Sequence, residues 1–388
     1  MKKSKNIILL SPFFFPELIS TGKYNTDLAI DLSNDGHNVT VLCFHPFYPK
    51  WKIKKTRNQL KNLKIIRGGS NLVFPNNSFL RRIILEITFA FFTLRNLRKI
   101  SKNIDVVIPV FPPSLAFYFI IPFINKKIKK VGIIHDLQEL YSSEKGGYFN
   151  KLISFFIHKV EKKNYNFCDK LIFLSNEMKT FAINQYNLDD KKVFVSYPFI
   201  SLKNNNTNQL NHLFNPKKVN IVYSGALGEK QNPEELYNFF DKASKNLNNT
   251  EYHIFSEGRI FEKLKKNNIN PKINFNDLVK TEFLEELYFK SDVQIIPQKK
   301  GTSKGSLPSK LPNLMASKCK IFVITDPESE IDLIFKKYKL EKVVTTWNIE
   351  NLVNSLDFLI HENIDHLNQN KVAKNLFSLS NSIDKIFT

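Results

Sequence analysis

Cysteine is scarce. The chain has three in 388 residues, Cys43, Cys168 and Cys319, far apart, odd in number and never spaced Cys-x-x-Cys. That argues against a disulfide framework or a zinc knuckle, and a reducing cytosol is the simplest home. Histidines such as His158 and His253 lack metal-ligand spacing, and no Asp-x-Asp pair stands in a convincing loop, so no metal and no other cofactor is expected. The Gly-x-Gly-x-x-Gly fingerprint is missing from the first turn, Ser11-Pro12-Phe13-Phe14-Phe15-Pro16-Glu17, which removes the main support for a nicotinamide-dependent dehydrogenase. Gly301-Thr302-Ser303-Lys304-Gly305-Ser306 imitates a phosphate loop without its Gly-Lys-Ser/Thr, which argues against an ATPase.

Apolar runs long enough for a membrane or an export signal are also wanting. Ile7 to Phe15 follows a basic start like a secretory signal, but Pro12 interrupts it and no Ala-x-Ala follows, so Asn6–Leu10 reads as a buried first strand. Val106–Asn125 is uncharged for about the length of a membrane span. Pro109, Pro112, Pro113 and Pro122 divide it, leaving a strand and then a helix opened by prolines. A soluble or surface-bound chain is expected.

What is present is an ordinary globular balance, 42% hydrophobic and 24% charged, in a length that suits two domains at roughly 150 residues each. The net charge is +21 and lopsided. Residues 1–200 carry 31 Lys+Arg against 14 Asp+Glu, and residues 201–388 carry 26 against 22. Within 51–100 the count is 12 basic to 1 acidic. Cations and aromatics interleave there, and Phe79, Arg81, Arg82, Phe89, Phe92, Arg95 and Arg98 read as a surface for an anionic membrane. A nucleic-acid partner is the rival, but no helix-turn-helix, zinc or base-stacking motif accompanies the charge, and a plain solvated surface is the blander one.

Short Ile/Val-rich runs alternate with longer amphipathic stretches, the pattern of βαβ units and parallel sheets. Strands are expected at Ile7–Leu10, Val39–Leu42, Lys64–Arg67, Asp105–Val110, Lys130–Ile134 and Lys170–Leu174. Helices are expected near Thr21–Asp35, Ser78–Ser101 and Lys151–Asn166. The pattern restarts at Val219–Tyr223, Tyr252–Phe255, Ile273–Phe275, Val293–Ile296, Ile321–Ile324 and Lys342–Thr345. Two doubly wound α/β domains result: 1–200, a polar linker over 201–218, and 219–388, whose last helix could return to the first domain.

Parallel sheets bind ligands beyond the carboxyl ends of their strands, which directs attention to the residues just after each one. Ser224-Gly225-Ala226-Leu227-Gly228-Glu229-Lys230 is a small-residue turn ending in a cation, suited to a diphosphate. Leu307-Pro308-Ser309-Lys310-Leu311-Pro312-Asn313 reads as a helix start, whose free N–H groups attract phosphate, with Lys310 adding a charge. His135 follows a first-domain strand and could donate to a sugar hydroxyl, with Asp136 orienting it. Thr325-Asp326-Pro327-Glu328-Ser329-Glu330 offers acceptors to a ribose. An ordinary turn, an ordinary helix cap and solvated loop residues are the alternative readings.

Together with Gly22, the run Leu32–Leu42, His135-Asp136, Tyr223–Gln231 and Leu307–Leu311, these residues resemble the GT-B glycosyltransferases of family 4. The likeness is greatest to the bacterial surface-polysaccharide branch with colanic-acid and O-antigen fucose- or fucosamine-type transferases. The resemblance implies two Rossmann-like domains facing across a cleft. It implies retaining, metal-independent sugar transfer from a UDP- or GDP-sugar to an acceptor that is often lipid-linked, such as a polyprenyl-diphosphate glycan, at the cytoplasmic face of the membrane. By position, Gly22 would border the diphosphate, His135 face the sugar, Lys230 and Lys310 neutralise the leaving group, and Ser224, Gly225, Gly258, Leu278, Pro308, Ser309, Leu311, Asn313 and Glu330 line the donor. Ala226 stands where many members have arginine, and Asn313 and about Gly305 where a pair of glutamates falls. An inactive donor-binding paralogue acting as a partner subunit, and another GT-B enzyme such as an epimerase, are the alternatives this leaves.

Overall fold

The structure, a computed structural model, describes residues 4–17, 19–48, 50–100, 103–138, 148–202, 207–303, 307–340 and 343–387. Ser101, Lys304, Gly305, Ser306, Lys342 and residues 203–206 of the polar linker lie outside the described residues. Two compact units emerge, unit 1 (1–197 with 379–388) and unit 2 (198–378).

Unit 1 is built on a parallel sheet in the order β3-β2-β1-β4-β5-β6-β7. Its strands are β1 Asn6–Leu10, β2 Asn38–Phe44, β3 Leu63–Gly68, β4 Val106–Phe111, β5 Lys129–Ile134, β6 Lys170–Phe173 and β7 Val193–Val195. The signal-like run is thus the central strand, with Ile7 opposite both Val39 and Val106. All six residues of β4 are buried, as expected for a strand covered on both faces. Its ladder to β5 skips Ile108 and Pro109, because proline has no N–H to donate. The rest of the uncharged run forms the helix Ser114–Ile120 and a short turn. Among the described residues no helix is long and apolar enough to cross a membrane. β7 is the strand that the sequence reading left out; three residues behind a lysine pair are too short for a period-two pattern.

The helix Ser78–Leu97 follows β3, capped by the Asn77 side chain, which accepts from Phe79 N and Leu80 N at 3.0 Å each. Its buried face is Leu85, Glu86, Phe89, Ala90 and Thr93. This corrects the membrane assignment of two residues. Phe89 is fully buried against Phe44 and Phe117, and Phe92 packs on Phe44 over Gly68, where any side chain would collide with its ring. Interleaving apolar and basic residues along the chain conceals that a helix sorts them onto opposite faces. The helix Leu379–Phe387 also belongs to unit 1, with Phe387 set 4.7 Å from the His37 ring and the Lys385 ammonium bonded to Val195 O.

Unit 2 repeats the plan with β8 Val219–Ser224, β9 Thr250–Phe255, β10 Ile273–Asn276, β11 Val293–Pro297, β12 Lys320–Ile324 and β13 Val343–Val344, ordered β10-β9-β8-β11-β12-β13. Phe239, Phe240, Tyr252 and Phe322 fill its core. The described part of the stretch read as a linker packs on this unit, where the Glu286 carboxylate accepts from Thr207 Oγ1, Gln209 N and Leu210 N at 2.6, 3.1 and 2.7 Å. The three cysteines are buried, with no disulfide among them. Burial pushes the Cys43 and Cys168 thiols up to about 12, which leaves them inert.

Candidate active site

Both sheets reverse direction of winding once, between β1 and β4 and between β8 and β11. In doubly wound folds the crevice beyond the carboxyl ends at that reversal is where ligands bind. In unit 2 this point is marked by a lysine. Lys310 Nζ donates to Ser224 O, the last carbonyl of β8, at 3.2 Å, and to Ile295 O of β11 at 2.7 Å. It also lies 4.5 Å from the centre of the Tyr223 ring. Burial pushes its pKa down to about 7. The Lys310 ammonium therefore ties two strand ends together, while Lys230 is the exposed cation of the pair.

The turn carrying Lys230 is held from several sides. Gly225 has φ +138, a conformation that side chains resist, and its N–H bonds Phe255 O at 3.0 Å. Tyr223 Oη donates to Ala226 O at 2.6 Å, and Gly228 N to Gln231 Oε1 at 3.0 Å. Lys230 O accepts from Lys299 N at 2.7 Å, joining this turn to the loop after β11. That loop is held in turn by Asp326, whose carboxylate accepts from Gly301 N at 3.0 and 2.9 Å and Ser303 Oγ at 2.8 Å. Asp326 is thus committed to the protein's own backbone. Glu330 is buried in the first turn of the helix Glu330–Tyr338.

The segment 307–313 departs from the expected helix start. The helix begins at Leu311, is six residues long, and has no side-chain cap. Leu311 N bonds Pro308 O at 2.9 Å, while Ser309 is exposed. Asn313 turns away to anchor Ser201, accepting from its N–H at 2.8 Å and donating to its hydroxyl at 3.2 Å. Gly258 (φ +101) and the exposed Leu278 follow β9 and β10 at the same end of the sheet. The fold thus draws Ser224, Gly225, Lys230 and Lys310 together and assigns Asn313 to scaffolding.

In unit 1 the carboxyl ends present different chemistry. His135, the residue after β5, is buried, its N–H bonded to Phe111 O at 2.8 Å. The Tyr24 ring meets it edge-on at 4.7 Å. Burial pushes the imidazole down to about 3, so it is neutral at physiological pH, and its Nε2 is buried without a hydrogen-bond partner. An orphaned ring nitrogen at a strand end is poised for a ligand hydroxyl. Gly22 lies in the first turn of the helix Ser20–Asn34, where a Cβ would press on Glu17 at 3.0 Å. Glu17 in turn accepts from Phe47 N and Tyr48 N at 3.0 and 2.9 Å. Burial raises its pKa, opposed by those N–H groups and by Arg67.

Two buried carboxylates brace this end of the sheet, Glu86 at the helix Ser114–Ile120 and Glu161 at the His135 loop, and the sequence reading missed both. Glu86 accepts from Leu115 N and Ala116 N at 2.6 and 3.2 Å. Glu161 accepts from Gln138 N at 3.1 Å and from the Tyr165 and Tyr186 hydroxyls at 3.2 and 2.6 Å. A lone carboxylate inside the apolar run Ile83-Ile84-Leu85-Glu86-Ile87 was the available signal. Among the described residues no group of three His, Cys, Asp or Glu side chains could hold a metal ion.

Residues 21–204 match the model of Glycosyltransferase Family 4. WcaI of Escherichia coli, named as a colanic acid biosynthesis glycosyl transferase, is 26% identical over 78% of this chain and 79% of its own. Among solved structures, sucrose-phosphate synthase of Thermosynechococcus elongatus superposes with a TM-score of 0.75 at 12% identity, covering 99% of this chain and 98% of that one. WaaG, a glycosyltransferase of lipopolysaccharide biosynthesis, gives 0.70 at 13% identity over 98% and 99%.

Proposed function

We propose that this chain, which has the GT-B fold, is a glycosyltransferase of family 4 that moves a sugar from a UDP- or GDP-sugar to a lipid-linked glycan acceptor in surface-polysaccharide assembly. Transfer proceeds with retention of configuration and without a metal, at the cytoplasmic face of the cell membrane. The observation that carries this reading is the Ser224–Lys230 turn, set at the reversal point of unit 2 and knitted to the Lys299–Ser303 loop. The names of WcaI and WaaG support the polysaccharide context, and the basic first half supports a lipid-borne acceptor.

The chemistry asked of the protein is charge stabilisation. As the anomeric C–O bond breaks, negative charge grows on the departing diphosphate, where Lys230 is the exposed cation and Lys310 holds the strand ends that shape the turn. Positive charge grows on the sugar, and the neutral imidazole of His135 offers its free nitrogen to a sugar hydroxyl. The test is thermal shift and calorimetry of the whole chain against UDP, GDP, CDP and ADP, with and without EDTA. Selective stabilisation by one diphosphate, unchanged by EDTA, is expected, since a ligand of the folded state raises stability by mass action. No response to any of the four overturns the donor site and leaves the inactive partner-subunit alternative. Loss of the response in EDTA overturns metal independence alone. The anomer formed, read by NMR of the product, decides retention.

A further inference from the structure

A rim of loops at the carboxyl end of the unit 1 sheet is both strongly basic and apolar. Between Gly36 and Leu85 there is no Asp or Glu. After β2, Lys50, Lys52, Lys54, Lys55 and Arg57 are all exposed, and the loop bearing them is pinned to the strand ends by His45 N to Gly68 O at 3.0 Å and Arg67 Nη2 to Asn58 O at 3.3 Å. Trp51 stands at its centre with φ +53, an uncommon backbone for a bulky residue. Phe47 and Phe74 pack on its ring at 5.3 and 5.2 Å, and Arg81 lies over it at 4.1 Å. Around this rigid base large apolar side chains face outward: Val73 is 83% exposed, Leu80 51% and Phe79 50%.

We propose that this rim, rather than the outer flank of the helix Ser78–Leu97, is the surface that rests on an anionic lipid bilayer. Charge complementarity selects the partner: a headgroup layer satisfies a run of cations without acids, while Val73, Phe79 and Leu80 enter the interface. Of the other exposed rings of unit 1, Phe155 is covered by Lys159 at 4.4 Å and Phe123 by Arg98 at 5.9 Å, while Phe91, 71% exposed, marks the outer flank of the helix. The rim also lies at the same end of the parallel sheet as His135, so an acceptor held by its lipid reaches that end without leaving the membrane. The inference rests on the lipid-linked acceptor reading and specifies which surface serves it.

Sedimentation of the full chain with vesicles of phosphatidylglycerol and phosphatidylethanolamine tests it, against vesicles of phosphatidylcholine alone. Two rim variants, Val73→Asp with Leu80→Asp and Lys52→Glu with Lys54→Glu, are expected to weaken binding to the anionic vesicles by about tenfold or more. The flank variant Phe91→Asp is expected to bind like wild type, and none should bind phosphatidylcholine strongly. Rim variants that bind normally, loss of binding in Phe91→Asp, or a wild-type chain that ignores anionic vesicles would overturn the proposal. So would a concentration-dependent dimer that the rim variants abolish, since a second copy is then the occupant. Stabilisation by a nucleoside diphosphate reports on unit 2 in the same samples, so failure of the rim and failure of the transferase reading are told apart.

Discussion

Unit 1 runs its strands in the order β3-β2-β1-β4-β5-β6-β7 and ends them in aromatic rings, exposed lysines and a neutral imidazole, whereas unit 2 runs β10-β9-β8-β11-β12-β13 and ends them in a glycine turn and ammonium groups. The shared winding places ligands at the same end of each sheet. The difference lies in what each end asks of its ligand. A buried imidazole with an open nitrogen suits a neutral hydroxyl, while an exposed lysine on a turn shaped by a second lysine suits a developing anion. Charge follows the same division, with most of the net excess in the first half of the chain.

The comparison can be broken at several points. The largest effect is expected from Phe89→Ala, which should cost unit 1 about 3–5 kcal/mol as a buried ring is lost. Hydrogen exchange should show strands β1–β7 loosening while β8–β13 stay protected; equal loosening in both would end the treatment of the units as separately built. Next, Lys230→Ala should slow turnover by about two orders of magnitude without unfolding, by the measure of losing one charge-stabilising donor. Normal kinetics in that variant would remove Lys230 from the site.

Lys310→Met sharpens the contrast between a contacting and a shaping lysine. Because its ammonium bonds Ser224 O and Ile295 O, its loss should lower the melting temperature as well as turnover, with turnover again falling by about two orders of magnitude. A turnover loss with an unchanged melting temperature would mean that it meets the diphosphate directly. A further effect is confined to acid pH. The His135 imidazole is pushed from 6.5 to about 3 by burial, so the unfolded chain binds the extra proton between those values. Its contribution is present above pH 6.5 and is lost as pH falls toward 3, at up to ~1.4 kcal/mol per pH unit. Urea titrations of His135→Gln should show a shallower acid decline than wild type; identical slopes would mean that His135 is not buried neutral.

Twelve of the thirteen strands among the described residues were legible, because a strand covered on both faces needs a mostly apolar run, and runs such as Ile7–Leu10 and Ile221–Tyr223 have little other use. The exception, Val193–Val195, is too short to stand out. The Ser224–Lys230 turn was legible too, since a positive φ at Gly225 requires glycine. Phe89, Glu86 and Glu161 were not, because which face of a helix a residue occupies is set by what packs against it.

Sequence alone determined the class of fold, the place of the small-residue turn and the uneven charge, all of which are local or additive properties of the chain. Only tertiary structure decided the roles of single polar groups. Lys310 and Asp326 look like ligand contacts in sequence, yet Lys310 is bonded to the carbonyls of two strands and Asp326 to the N–H and hydroxyl of a neighbouring loop. Asn313 is likewise taken by Ser201. A polar side chain goes to whichever partner folding brings within about 3 Å, and that partner is invisible until the chain has closed on itself.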